Sequence, residues 1–204
     1  EGAPPIGNAG IDQLKRYDAA YIGSTSEKVL YLTFDAGYEN GCTEKILDTL
    51  QKHNVKAAFF LVGNYIEKNA DLVRRMTEEG HIVGNHTMHH LQGRDTTCRR
   101  YLRDVAEADA LIGSPLFRPP HGIMRWSQAA ALKHRYNIIM YDVVTRDYSR
   151  RMKPRDVLEN VRRYVRSGSI IVFHDSLKAR DNMLWALPRA IRWLRRQGYS
   201  FGTL

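Results

Sequence analysis

VLYLTFDAGYENGCTEKILDTLQKHNVKAAFFLVG, residues 29–63, carries the fold class of this chain. It opens with Val29–Phe34, a β-rich run that stops at Asp35 and Gly37. Thr43–His53 then places Ile46, Leu47 and Leu50 on one helical face, with Thr43 as the expected N-cap. Lys56–Val62 is extended again and closes at Gly63. A strand, a helix and a second strand in this order point to a parallel pair joined by a crossover helix.

The alternation continues outward from that unit. Helices are expected over Ala70–Glu79, stopped by Gly80 in the C′ position, and over Thr97–Ile112, ended by Gly113. Further helices are expected over Ser127–His134 with Ser127 as cap, from Pro154 to Arg166, and over Asn182–Gln197, interrupted or kinked at Pro188. Between them lie strand candidates at His81–Gly84, Pro115–Phe117, Asn137–Tyr141, Ser169–Phe173 and Tyr199–Phe201. Residues 1–26 read as an irregular lead-in with a turn of helix around Asp12–Arg16, and residues 27–204 as one catalytic-sized domain. Both a β/α barrel and an open doubly wound sheet satisfy this pattern.

The chain has 204 residues and a formal net charge of +9, with an arginine-rich second half. Those arginines fall at helical spacing without interleaved aromatics, so they read as solvated helix faces and nucleic acid is not the expected partner. Apolar runs such as Ile170–Phe173 are far too short to cross a bilayer, and a monomer is expected. Cys42 and Cys98 form no C-x-x-C pair, and their separation leaves both a disulfide and two thiols open.

Chemistry gathers at the expected C-terminal ends of strands, where α/β folds build their sites. Asp35 follows the first strand, His86 and His90 the third, Arg118 the fourth, Asp142 and Asp147 the fifth, and His174 with Asp175 the sixth. His86 and His90 stand four apart, a spacing that brings both imidazoles to one face of a helical turn and within reach of one divalent ion. Asp35 suits a general base, which Arg118 would hold ionised. His174 suits a general acid with Asp147 as its carboxylate partner. An acid–base pair around an activated water is a hydrolase layout.

Five motifs in order resemble the polysaccharide deacetylases of carbohydrate esterase family 4: Thr33-Phe34-Asp35-Ala36-Gly37, His86-Thr87-Met88-His89-His90, Arg118-Pro119-Pro120-His121-Gly122, Asp142–Tyr148 and Ile171-Val172-Phe173-His174-Asp175. The resemblance runs from about Val29 to the C-terminus. It implies an α/β single domain, a distorted (β/α)7-type barrel, that removes N-acetyl groups from an amino-sugar polymer. By resemblance Asp35 is the base, Arg118 its orienting partner, and His174 the acid tuned by Asp147. His86 and His90 hold a divalent metal, with zinc expected and nickel or cobalt as alternatives. The backbone near His121 supplies an oxyanion donor, and Tyr148 and Val172 line the substrate pocket.

The chain departs from the family pattern where Ala36 replaces the usual third metal ligand, an aspartate, where His121 replaces a tyrosine, and where Tyr148 replaces a tryptophan. The stretch Phe34–Gly41 is similar to the subgroup that deacetylates muramic acid on the way to the spore-cortex δ-lactam, which makes peptidoglycan the expected polymer, with a chitin-like chain as the second choice. The same resemblance implies a secreted or cell-envelope protein. Two other readings use the same residues: an O-acetyl polysaccharide esterase, and a catalytically inactive carbohydrate-binding domain that lost its metal ligand at Ala36.

Overall fold

The computed structural model describes residues 14–38 and 41–204. Its centre is β1 (Val29–Ala36), flanked by β2 (Ala58–Leu61) and β7 (Ile170–Asp175), both parallel to it. Beyond β2 come β3 (Ile82–Asn85), β4 (Leu116–Phe117) and β5 (Asn137–Ile138), and beyond β7 comes β6 (Val143–Val144). A short β8 (Ser200–Phe201) pairs with the start of β1. Every ladder is parallel, as the β–α alternation requires.

The alternation along β1 sorts its side chains between two cores. Leu30, Leu32, Phe34 and Ala36 pack in an outer cluster with Ile46, Leu47 and Leu50 of α1 (Thr43–Lys52) and Ile191 and Leu194 of α7 (Arg180–Arg196). The opposite face meets an inner cluster that unites Phe60 of β2, Leu116 of β4, Val144 of β6 and Val172 of β7. Side chains from strands spread across the whole sheet can meet only if the sheet curls. The result is a distorted, incompletely closed seven-strand barrel in a single α/β domain. Each large apolar side chain that leaves water in these clusters contributes roughly 1.5–3 kcal/mol.

No ladder joins β5 to β6. Part of the lead-in lies there instead: Ala20 bridges to Ile139 and Ile22 to Ser169, and Leu14, Ala19 and Tyr21 are buried. Of the helical turn expected around Asp12–Arg16, Leu14 and Lys15 are helical and Arg16 lies in a turn, whereas Asp12 and Gln13 fall outside the described residues, as do Glu39 and Asn40.

The helices follow the expected spans closely: α3 (Ala70–Glu78), α4 (Cys98–Ile112), α5 (Trp126–Leu132) and α6 (Pro154–Tyr164). Four differences have local causes. A short α2 (Gly63–Lys68) follows β2, and its six residues hold too few apolar positions to show a period. The α7 helix runs through Pro188 without ending there. Ser127 is not a cap, because α5 begins at Trp126 and the Arg125 N–H is met by the Gln128 side chain at 2.7 Å. The strand expected over Asn137–Tyr141 keeps only β5, and the chain then divides from this edge to form an additional strand, β6, on the opposite edge of the sheet. Between them the Ile139 and Met140 carbonyls accept from the Arg118 guanidinium rather than from a strand.

That division corrects the placement of Asp142. It precedes β6 and accepts hydrogen bonds from Ser169 Oγ, Ile170 N and Arg166 Nε at 2.9–3.2 Å, bracing the N-terminal start of β7. Cys42 and Cys98 do not form a disulfide. Among the described residues no helix is long and apolar enough to cross a membrane.

Candidate active site

The loops leaving the C-terminal ends of β1, β3, β4, β6 and β7 surround one pocket of about 500 Å3, and Asp35, His86, His90, His121, Tyr148 and His174 all line it. In-register pairing makes Asp35 and His174 neighbours across β1 and β7, so both side chains emerge on the same face of the curled sheet.

Asp35 is held from one side by Arg118, whose Nη1 donates to Asp35 Oδ1 at 2.8 Å and to Thr33 Oγ1 at 2.8 Å. The guanidinium is fully buried and lies 4.0 Å from the Phe60 ring centroid. Its Nε and Nη2 donate to the Ile139 and Met140 carbonyls, so all its faces are occupied and its direction is set. Burial pushes the Asp35 carboxyl upward, but the charges of Arg118, His86 and His174 together hold it below the usual carboxylate value. Asp35 is therefore an anion at neutral pH.

His174 is arranged in the opposite sense. Its Nδ1–H donates to Asp147 Oδ1 at 2.8 Å, and its backbone N–H donates to Asp147 Oδ2 at 2.8 Å. Asp147 is fully buried, and its carbonyl accepts from Asn182 of α7 at 2.9 Å. Burial alone would lower the His174 pKa, but the charge and hydrogen bond of Asp147, with Asp35 behind them, raise it. The remaining ring nitrogen, Nε2, is left to act as an acid. Tyr148 sets its ring edge-on to His174, with centroids 4.6 Å apart.

His86 donates Nδ1–H to the Arg118 carbonyl at 2.7 Å, which fixes the tautomer and leaves Nε2 3.9 Å from Asp35 Oδ2. The His86 and His90 rings lie 5.1 Å apart, and His121 packs on the far side of His90 at 4.7 Å. They converge by a route other than the expected helical turn. Residues 86–92 form no helix, and Thr87 and His90 instead take left-handed φ values of 67° and 56°. Such φ is costly for a branched residue and persists only where the surroundings enforce it. Here buried Asn85 and Asp104 do so. Asn85 Oδ1 accepts from Thr87 N, Asp104 Oδ2 accepts from Met88 N and His89 N, and Asp104 Oδ1 accepts from His89 Nδ1 at 2.6 Å.

The donor set suits a borderline-soft divalent ion. Burial lowers the pKa of His86, and burial followed by the charges of His86 and His121 lowers that of His90 to about 3, so both rings are neutral and able to ligate. Ala36 adds nothing to this set, since it is fully buried in the outer cluster and absent from the pocket wall. Among the described residues the one trio whose donor atoms all lie within 4.8 Å of one another is His89, Asp104 and Glu107, behind the loop rather than in the pocket. Asp104 in that trio is already engaged in holding the loop.

His121 sits in a left-handed conformation, φ 60°, within the turn Pro120–Gly122, and no described residue accepts its backbone N–H. Val172 is fully buried in the inner cluster with Tyr141 and Val144, and of these three only Tyr141 and Val144 reach the pocket. Sequence reasoning passed over Thr33, Asn182 and the loop-holding Asp104, whose roles depend on contacts far along the chain. Thr43 is not the expected cap: its hydroxyl donates to buried Asp175 and meets Tyr65 OH at 3.0 Å, with Cys42 in the N-cap position.

A polysaccharide deacetylase family model matches residues 22–137. The peptidoglycan-N-acetylmuramic acid deacetylase PdaA of Bacillus subtilis is 33% identical over 98% of this chain and 80% of its own length. The crystal structure of the Bc1960 peptidoglycan N-acetylglucosamine deacetylase superposes with a TM-score of 0.86 at 30% identity, covering 97% of this chain and 95% of that one. BA3943 of Bacillus anthracis, described as a family pseudoenzyme, superposes at 0.79 with 27% identity over 91% of this chain and 67% of its own. With the motifs assembled as described around one pocket, the chain belongs to the polysaccharide deacetylases of carbohydrate esterase family 4.

Proposed function

We propose that this protein hydrolyses N-acetyl groups from an amino-sugar polymer, that the polymer is peptidoglycan, and that it works at the cell envelope. The observation that carries the reading is the pairing of opposite proton states on adjacent strands. Arg118 favours the ionised form of Asp35 and Asp147 favours the protonated form of His174, across one register pair. Relatives named as peptidoglycan deacetylases support the choice of polymer.

Asp35 takes a proton from a water lodged beside it, and the resulting hydroxide adds to the acetyl carbonyl. The oxygen of the tetrahedral adduct faces the His121 N–H. His174 then donates its Nε2 proton to the sugar nitrogen as the C–N bond breaks, releasing acetate and the free amine. Tyr38 and Tyr148, both exposed at the rim, offer flat apolar surfaces for sugar rings. His86 and His90 would hold a divalent ion, zinc first and nickel or cobalt as alternatives, which polarises the carbonyl and lowers the pKa of water.

Acetate release from peptidoglycan and from chitin oligosaccharides tests this, with metal removed and then restored as zinc, nickel or cobalt. Release that returns with metal is expected. No release under any loading would overturn the reading in favour of the O-acetyl esterase or the inactive carbohydrate-binding domain. His174→Ala should depress amide hydrolysis far more than hydrolysis of an acetyl ester, whose leaving group needs less help. Equal losses would count against His174 as the acid.

A further inference from the structure

The arginines of the second half are scattered in sequence but converge in space. α6 and α7 lie side by side, and a groove of about 420 Å3 on their shared face is lined by Arg155 and Arg162 of one and Trp185, Arg189, Arg192 and Arg196 of the other. Glu159 is the single carboxylate in the lining, and it is committed to Arg162 at 2.6 Å. The other four guanidiniums have no ion-pair partner among the described residues. Arg162 also keeps its Nε buried and without a hydrogen-bond partner.

Unneutralised guanidiniums around one groove repel each other unless an anion joins them, and their forked donors match phosphate oxygens. The aromatic content narrows the class. Trp185 packs against the outer core, and its ring is covered by Arg189, whose guanidinium carbon lies 4.0 Å from the ring centroid. No open aromatic platform remains for a base to stack on, which disfavours nucleic acid. We propose that this groove binds a base-free phosphodiester polyanion, a poly(alditol phosphate) chain. It shares no residue with the catalytic pocket, so occupancy anchors the protein on the polymer while the chemistry at Asp35 proceeds separately.

The test is titration calorimetry of the whole protein with poly(glycerol phosphate) at two or more salt concentrations. Binding that weakens steeply with salt is expected. The variant Arg155→Gln/Arg192→Gln/Arg196→Gln changes only exposed positions. It should bind about tenfold or more weaker, on the scale of lost phosphate contacts. Acetate release from a neutral chitooligosaccharide should stay at the wild-type rate. The variant Arg99→Gln/Arg100→Gln/Arg103→Gln removes the same charge from α4 and should bind like wild type. Equal weakening in both variants would reduce the effect to net charge and overturn the site. Single-stranded DNA binding as tightly as the polymer at matched charge would overturn the ligand class.

Discussion

His174 and Asp147 illustrate how much of the proposed chemistry one buried carboxylate controls. The pKa of His174 is raised, so the protonated acid persists above the ordinary imidazole value and is lost as pH rises through the raised one. The pKa of Asp35 is lowered, so the base remains ionised below the ordinary carboxylate range and is lost only in stronger acid. The pH profile of turnover should therefore be a bell whose alkaline limb belongs to His174 and whose acid limb belongs to Asp35. Asp147→Asn removes the charge that raises His174, and the alkaline limb should move to lower pH while the acid limb stays. An alkaline limb that does not move would assign it to another group. That Asp35, Asp147 and His174 share one rim was legible in the sequence, because each follows a strand and, although any one alone could be structural, several together at strand ends point to a site. The role of Thr43 was not legible, because a threonine before a helix looks like a cap whether or not a distant Asp175 takes its hydroxyl.

Elements decide where those residues point. Their register makes Asp35 and His174 partners, and a shift of one residue between β1 and β7 would put one of them under the helices. The histidine loop depends on α4 in a comparable way. Asp104, nearly two turns into that helix, accepts from two loop N–H groups and from the His89 ring. Asp104→Ala leaves the two His89 donors unmet, while Met88 N keeps the Asp104 backbone carbonyl, at a cost of roughly 1–3 kcal/mol. It should also weaken zinc binding by about 10–100-fold, as loss of outer-shell support does elsewhere. Urea unfolding and zinc titration measure the two effects, and unchanged zinc affinity in a folded variant would mean that the loop keeps its shape without α4. The histidine spacing correctly announced convergence, though it suggested a helical turn where left-handed residues do the turning. Asp142 lies elsewhere than expected for an element-scale reason: the run Asn137–Tyr141 pairs only through its first two residues, and the chain then crosses to the opposite edge, where Asp142 precedes a further strand.

At the scale of the whole molecule Arg118 is the tie that crosses the barrel. It joins Asp35 and Thr33 on β1 to the carbonyls between β5 and β6, the side where no strand ladder closes the sheet. Replacing one partner of a buried, fully bonded pair strands the other. Arg118→Met should cost about 3–5 kcal/mol in urea unfolding. Arg118→Lys keeps the charge but loses the fork, and should fall between Arg118→Met and wild type. A loss below about 1 kcal/mol for Arg118→Met would show that the closing contacts lie elsewhere, for instance in Ala20 and Ile22.

The β–α alternation, the parallel sheet and the residue types that end the strands follow from residue order alone, because burial periodicity and turn chemistry are local properties. Ordered motifs identified the family on the same local basis. Only the tertiary structure decided how far the sheet curls, which lone polar residues share a pocket, and that Ala36 turns under the helices. It also decided that arginines dispersed over two helices form one groove. These outcomes depend on contacts between residues far apart in the chain, and a one-dimensional pattern holds no record of which distant partner fills a given lone pair or covers a given ring.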